Sequence, residues 1–138
     1  MSTRSYIGIA SANFNVEAIY CHCDGYISGV GQTLFDYYKT EDDIRKLIAL
    51  GDIRGLCEEI DAIETYRGCG EDWESVKPKK FSDGAEIINA ARRSGIEYIY
   101  NFNPYTSRGP QWMVWSLGKH GDGWKYLNDE INELQKNV

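Results

Sequence analysis

The sequence has no long apolar run and no export signal. No stretch approaches the roughly 18 apolar residues that a membrane-spanning helix needs. The start, MSTRSYIGIA, lacks a basic segment followed by an apolar one. We therefore expect a soluble protein that is neither membrane-bound nor secreted. Its four cysteines are then expected to be reduced thiols.

Basic residues are fewer than acidic ones. The chain has 15 Lys and Arg against 21 Asp and Glu, which gives a net charge of −6. No general basic field is available to attract a phosphate backbone, and this argues against bulk nucleic-acid binding. A small local site for an anion is still compatible with this composition.

Linkers, internal repeats and low-complexity segments are absent too, so we predict one domain over residues 1–138. A domain of this size buries roughly 68% of its unfolded surface, enough for a core without disulfides. Aromatic side chains, in contrast, are abundant at 13%, with ten Tyr and four Trp. Such rings build cores, stack on bases and anchor protein interfaces, and they leave self-association open.

Alternating β-rich runs near both ends of the chain predict two hairpins. RSYIGIA and VEAIYCHC flank the turn-forming SANFN, whereas IEYIYNF and QWMVWSL flank a long loop, NPYTSRGP. Apolar spacing predicts helices in GVGQTLFDYYKT, TEDDIRKLIALGD, FSDGAEIINAARRSG and the tail WKYLNDEINELQK. We therefore predict an α+β domain: a mainly antiparallel sheet from N- and C-terminal hairpins, with helices packed on it.

Capping residues define the ends of two of these helices. Thr40 is predicted to cap the second helix and Gly51 to end it, while Ser82 and Gly95 have the same roles in the third. The middle of the chain is less regular. CEEIDAIETYR is either a strand or a ragged connection, and the glycines and proline of RGCGEDWESVKPKK predict a loop.

The stretch YCHCDGY combines two thiols, an imidazole and a carboxylate, and strand alternation separates them. A first hairpin centred on Asn13 places Tyr6 opposite Tyr20. One face then holds Ile7, Ile9, Ile19, Cys21 and Cys23, and the other holds Arg4, Tyr6, Tyr20, His22 and Asp24.

Zinc ligands and a thiol–histidine pair both require side chains that converge, which this alternation prevents. The remaining candidates, Cys57, Cys69 and His120, have no recognised metal-ligand spacing, and KHGDGW around the histidine is typical of a turn. We therefore predict no metal, no cofactor and no catalytic cysteine, and we interpret Cys21 and Cys23 as small core residues.

The polar face is the main candidate for ligand binding. Arg4, His22 and Asp24 are predicted to form a charge-assisted set that binds an anion, with the carboxylate fixing the imidazole tautomer. The alternative is a salt-bridged strand edge that ends in an Asx turn. Gly29 and Gly31 precede a helix and would let backbone amides approach a phosphate, although such glycines also simply turn a chain.

Two loops add arginines with aromatic neighbours. Arg67 is followed by Trp73, and Arg108 lies between Tyr105 and Trp112. This combination suits a nucleobase, a phosphate or a protein interface equally well. Solvent exposure without a ligand is the alternative for both.

Four segments, MSTRSYIGIA, IYCHCDGY, GVGQTLFDYY and LIALGDI, resemble the opening third of a family of small uncharacterised proteins encoded by bacteriophages, prophages and related mobile elements. The shared pattern is a Thr-Arg-Ser start, Tyr-Cys-His-x-Asp-Gly-Tyr, a Gly-Val-Gly turn and Leu-Ile-x-x-Gly-Asp-Ile. The resemblance covers residues 1–53 and departs at Cys23, where the family commonly has an aromatic residue. It implies no activity, but it implies an accessory protein in the cytoplasm of an infected bacterial host.

Small phage accessory proteins often act against host immunity, so we expect a binding protein that counteracts antiviral defence. In one version, its aromatic loops and acidic surface block a host defence protein complex. In another, Arg4, His22 and the Gly29–Gly31 turn hold the phosphate of a nucleotide second messenger, while Tyr20 and Tyr26 stack on its bases. The alternative is a small nucleotide-processing enzyme in which His22 is the acid or base.

Overall fold

The computed structural model describes residues 2–117 and 123–136. Within these residues six strands form one mixed sheet in the order β3-β2-β1-β4-β5-β6. β1 pairs with β4 in parallel, whereas the other neighbours are antiparallel. The strands are β1 (Ser5–Ala10), β2 (Val16–Cys21), β3 (Lys79–Phe81), β4 (Tyr98–Thr106), β5 (Gly109–Ser116) and β6 (Lys125–Tyr126).

Helices cover both faces of this sheet, which confirms the predicted α+β class. One face packs against three helices, α1 (Gln32–Tyr37), α2 (Glu41–Ile48) and α5 (Leu127–Lys136). The other face packs against α4 (Gly84–Arg93). The connections contain a π-helical turn (Ile27–Gly31) that runs directly into α1, a 3₁₀ turn (Ile60–Ala62) and the short α3 (Trp73–Val76).

The first hairpin has the register that alternation predicted. Tyr6 pairs with Tyr20 and Ser5 with Cys21. Ile7, Ile19 and Cys21 are buried together in the core under α1, α2 and α5, as expected. Fully burying each aliphatic side chain stabilises the fold by about 1.5–3 kcal/mol relative to leaving it exposed.

The second face of the hairpin is not the open polar face that we predicted. Tyr6 is only 9% exposed, because α4 packs Ile87, Ile88 and Ala91 against this side of the sheet. Tyr20 is half-buried beside the same cluster. Alternation gave the direction of the Tyr6 and Tyr20 side chains correctly but could not reveal that a helix covers this side of the sheet.

Capping explains where α2 and α4 begin. Thr40 caps α2 as predicted, since its hydroxyl accepts a hydrogen bond from the Asp43 N–H at 3.1 Å. The prediction for α4 was wrong by one residue: Asp83, not Ser82, accepts the Glu86 N–H at 2.9 Å. A carboxylate at this position also interacts favourably with the helix dipole.

The second hairpin is tighter than predicted. Both strands extend into the expected loop, so that only the segment 107–108 connects them. Gly109 adopts a φ of 84°, which a glycine tolerates without strain. A register irregularity between Asn103 and Thr106 accommodates Pro104, which has no N–H to donate to the ladder.

The middle of the chain contains more regular structure than expected. RGCGEDWESVKPKK was predicted as a loop, but it contains α3 and most of β3, which extends the sheet beside β2. For CEEIDAIETYR the second of the two predictions, an irregular connection, is the correct one, because the segment contains a 3₁₀ turn and no strand. In the tail, Leu127 and Ile131 are buried, whereas Leu134 is 45% exposed. None of the helices described here is long and apolar enough to cross a membrane.

Candidate functional site

Two segments distant in sequence meet where β2 ends. The Ile53 N–H donates to the Tyr20 carbonyl at 2.8 Å, and the Ile53 carbonyl accepts from the His22 N–H at 3.2 Å. A second bridge joins Ile53 to Thr65. These backbone contacts place the residues around 54 and 66 beside the end of the first hairpin.

A group of polar aromatic side chains forms at this junction, and we call Tyr20, His22, Arg54 and Tyr66 the tyrosine–histidine cluster. The Tyr20 hydroxyl and His22 Nδ1 are 2.7 Å apart and hydrogen-bonded. The ring centroids of Tyr20 and Tyr66 are 6.2 Å apart. The Arg54 guanidinium lies 5.8 Å from the Tyr66 ring centroid. Arg54 Nε also pairs with Glu64 Oε1 at 3.1 Å, so the cluster combines three rings with an ion-paired arginine.

Electrostatics keep both tyrosines in their neutral form at neutral pH. Burial raises the pKa of Tyr20, and the positive charge of the nearby Arg4 opposes this rise. Burial likewise raises the pKa of Tyr66, with Arg54 acting in the opposite direction. A raised pKa disfavours the phenolate form of Tyr20.

A buried carboxylate supports the cluster from the sheet side. Asp52 is only 8% exposed, and its Oδ1 accepts the Tyr20 N–H at 2.9 Å. Lys79 Nζ lies 3.8 Å from the other carboxylate oxygen. Burial raises the pKa of Asp52, while the Tyr20 N–H and Lys79 lower it. Asp52 therefore positions Tyr20 and is itself held by the fold.

The charge-assisted set predicted from Arg4, His22 and Asp24 does not form. Across residues 2–117 and 123–136, no hydrogen bond or ion pair joins Asp24 to the other two. Strand β2 ends at Cys21, and Asp24 turns the chain with a φ of 58°. Its carboxylate accepts instead from the hydroxyl of Tyr26, at 3.3 Å.

Packing leaves no room for a Cβ at Gly29 and little at Gly31. The Gly29 N–H donates to the Tyr26 carbonyl at 2.9 Å, and a Cβ at position 29 would lie 2.3 Å from the Asp24 carbonyl oxygen. Gly31 is buried against Tyr100, where a Cβ would lie 3.1 Å from the ring. Phosphate binding at Gly29 and Gly31 stays a prediction.

The side chains of the other two predicted arginines stack on rings outside the cluster. Arg67 stacks 4.6 Å from the Trp73 ring centroid. Arg108 stacks 3.8 Å from Tyr126, and its Nη1 bonds both carboxylate oxygens of Asp129, at 3.0 and 3.1 Å. Among the described residues, no hydrogen bond or stacking contact joins the side chain of either arginine to the side chains of the cluster, so binding by Arg67 and Arg108 also stays a prediction.

Of the two cysteines predicted to be core residues, Cys21 is in the core, whereas Cys23 is only partly buried. Cys21 is fully buried, and this burial raises the pKa of its thiol to about 12. The thiol donates to the Cys23 carbonyl at 3.6 Å. Over the described ranges, no group of three or more His, Cys, Asp or Glu side chains is arranged to hold a metal ion. His120 lies outside the described residues.

Arg54, Tyr66 and Asp52 have no local sequence pattern that predicts a place in the site. Arg54 lies in an irregular connection and Tyr66 in a turn, and each reaches the cluster only through the bridges at Ile53. Such long-range backbone contacts leave no periodic pattern in the sequence.

Comparisons of the chain with protein-family models, curated proteins and solved structures gave no match. No residue role is therefore carried over from another protein.

Proposed function

We propose that this chain is a phage-encoded accessory protein that counteracts host antiviral defence by binding rather than by catalysis. Its ligand in this proposal is a nucleotide immune signal in the cytoplasm of the infected host, held at the tyrosine–histidine cluster. The phage origin rests on the resemblance of residues 1–53. The ligand class rests on the side chains that the fold brings together.

The main support for a nucleotide ligand is the arrangement around Tyr20. The Tyr20 hydroxyl is hydrogen-bonded to His22 Nδ1 at 2.7 Å, and Tyr66 and two arginines lie beside this pair. Aromatic rings stack on nucleobases for about 1–3 kcal/mol per base. Arg4 near Tyr20 supplies positive charge for a phosphate, and Arg54, which lies over Tyr66 and pairs with Glu64 at 3.1 Å, would have to exchange that carboxylate for the phosphate. A ring platform with adjacent cations suits a nucleotide.

Binding is favoured over catalysis because the cluster lacks an activated nucleophile. Burial raises the pKa of Tyr20, which disfavours a phenolate beside the imidazole. The Cys21 thiol has a pKa of about 12 for the same reason. Asp52, the nearest buried carboxylate, accepts the Tyr20 N–H and is used to position that residue.

A melting-temperature screen against cyclic and linear nucleotides tests this proposal. A ligand at a hundredfold excess over Kd stabilises the folded state by about 2.7 kcal/mol. For a chain of this size that corresponds to a rise of roughly 8–13 °C in Tm. We expect Arg4→Ala and His22→Ala to abolish the shift. Arg93→Ala, an exposed arginine at the end of α4, is the matched control.

Two outcomes would overturn the assignment. A shift that survives both Arg4→Ala and His22→Ala places the ligand elsewhere on the protein. Chromatography of the bound fraction separates binding from turnover, because recovery of a chemically altered nucleotide favours the alternative enzyme. In that enzyme the Tyr20–His22 hydrogen bond would orient the imidazole as acid or base.

A second candidate function, blocking a host defence protein, is supported by the stacked pair of Arg67 and Trp73. Tryptophan and arginine are the residue types most enriched at interface hot spots. Trp73 also lines a groove of about 730 Å³ beside the edge strand β3, together with Lys77, Pro78 and Phe81. This version predicts no nucleotide-induced melting shift, and a complex with a purified defence protein that Arg67→Ala weakens and Arg93→Ala does not.

A further inference from the structure

A separate cleft lies at the opposite end of β2 from the tyrosine–histidine cluster, and we call it the end cleft. Its volume is about 560 Å³, within the roughly 300–1,000 Å³ of pockets that hold small molecules. It lies where β1 ends at Ala10, β2 begins at Val16 and β3 ends at Phe81. Because α2 contributes Arg45 and α4 contributes Glu86, helices from both faces of the sheet flank the cleft.

Strand pairing sorts the residues of the end cleft into two rows. Ile9, Glu17 and Lys80 lie side by side on β1, β2 and β3. This row is on the α2 side of the sheet, where Ile9 is part of the core. In the next row, Val16 and Phe81 are buried on the α4 side. The end cleft therefore has an apolar floor with charged side chains along one side.

The two charges of the first row are not used by the fold. Lys80 lies directly opposite Glu17, a position in which opposite charges attract. In the described parts of the chain, however, no ion pair joins these two side chains or pairs either with another residue. Both side chains, with Phe81, also line the groove beside Trp73, so they lie at the boundary between the two cavities. A charged ligand can therefore reach them without displacing an ion-pair partner.

Arg45 and Glu86 add one more charge of each sign. Arg45 donates through Nε to Glu41 Oε2 at 3.0 Å, which leaves the N–H groups of its terminal nitrogens for another acceptor. The Glu86 carboxylate accepts from the Ser82 hydroxyl through Oε2, and its second oxygen can accept from a ligand. Cations and carboxylates in equal number thus line the end cleft.

We propose that the end cleft binds a short zwitterionic peptide of dipeptide size. The carboxylate of this ligand pairs with Lys80 and with the terminal nitrogens of Arg45, while its ammonium pairs with Glu86 across the end of the sheet. The ligand's side chains lie on the apolar floor. A ligand with charges of one sign only is disfavoured, because it meets side chains of its own sign. This property distinguishes the end cleft from the tyrosine–histidine cluster, whose proposed ligand is a nucleotide.

Calorimetric titration of the intact chain with alanyl-leucine tests the proposal. Two analogues are matched controls: N-acetyl-alanyl-leucine has no ammonium, and alanyl-leucine amide has no carboxylate. We expect saturable binding of alanyl-leucine and binding of each analogue weaker by about tenfold or more, since each lacks one charge-assisted contact. An analogue that binds as tightly as the dipeptide would overturn the assignment. Absence of saturable binding for alanyl-leucine, leucyl-alanine and dialanine alike would also overturn it.

Two variants remove one charge each from the end cleft. Lys80→Met and Glu86→Gln should each weaken alanyl-leucine binding by about tenfold or more. Both side chains are exposed, so we expect the variants to fold. Lys46→Met, at an exposed position of α2 outside the cleft, is the matched control and should leave affinity unchanged. Unchanged affinity in Lys80→Met or in Glu86→Gln would refute the proposal, as would an equal loss in Lys46→Met.

Discussion

The buried hydroxyl of Tyr100 offers the sharpest test of how the fold holds the chain after His22. The Tyr100 side chain has no exposed surface, and its hydroxyl donates to the carbonyl of buried Gly25 at 2.6 Å. The same hydroxyl would lie 3.3 Å from a Cβ at Gly31, at the end of the π-helical turn. One phenol therefore ties β4 to both ends of the segment that leads into α1.

Tyr100→Phe removes this single oxygen and leaves the Gly25 carbonyl buried without its donor. An unsatisfied buried backbone group costs about 1–3 kcal/mol. The larger values are expected here, because the phenol has no solvent exposure and water cannot replace the lost donor. At this chain length the loss corresponds to a fall of roughly 3–15 °C in Tm.

Urea unfolding of Tyr100→Phe and Tyr98→Phe side by side isolates the hydrogen bond. Tyr98 lies two residues earlier on the same strand and stacks on Tyr100 at 6.2 Å. Its hydroxyl has no hydrogen-bond partner among the described residues, so we expect its loss to change stability by less than about 0.5 kcal/mol. Equal effects of the two substitutions, or a loss below about 0.5 kcal/mol for Tyr100→Phe, would refute the reasoning.

Two further substitutions test backbone conformation and buried charge. Gly51→Ala should destabilise more than Gly70→Ala: both glycines have positive φ, at 76° and 98°, but only the Cβ at position 51 meets an atom, the Val76 carbonyl oxygen at 2.6 Å. Equal changes in melting temperature for Gly51→Ala and Gly70→Ala would show that the backbone moves to relieve the contact with the Val76 carbonyl at little cost. Because burial raises the pKa of Asp52, its contribution to stability is complete below the unfolded pKa and is lost as pH rises through the higher folded pKa. In Asp52→Asn the free energy of unfolding should no longer fall as pH rises through this range, whereas the exposed Asp61→Asn should keep the fall. Parallel curves of stability against pH for the two variants would show that Asp52 is not the group responsible.

Local patterns were sufficient to predict the first hairpin. Alternating apolar residues and a turn centred on Asn13 gave the pairing of Tyr6 with Tyr20, and the structure has that register. The cap at Thr40 and the buried stripe of α4 were predictable for the same reason, since both depend on neighbours within one or two turns of helix.

The features that could not be predicted from the sequence depend on contacts between residues that are far apart in the chain. Tyr6 is buried because α4, some eighty residues later in the chain, covers its side of the sheet. His22 bonds Tyr20, which lies on the same side of the chain as alternation predicted, and not Asp24, because the chain turns at Asp24 with a φ of 58°. Arg54 and Tyr66 joined the cluster through single bridges, which have no sequence signature. The ligand-binding roles of Arg4, Tyr20 and His22 stay predictions.

The parallel pairing of β1 with β4 has a consequence for folding kinetics. Ser5 pairs with Tyr98, so the centre of the sheet cannot form until most of the chain has left the ribosome. Closing such a long loop before native contacts compensate its entropy slows folding, as in other domains of high contact order. The hairpin of β1 and β2 can form early, but the side of β1 that pairs with β4 then stays unpaired until β4 has been synthesised. During synthesis this edge is the part of the molecule most exposed to aggregation and most dependent on rapid completion of the chain.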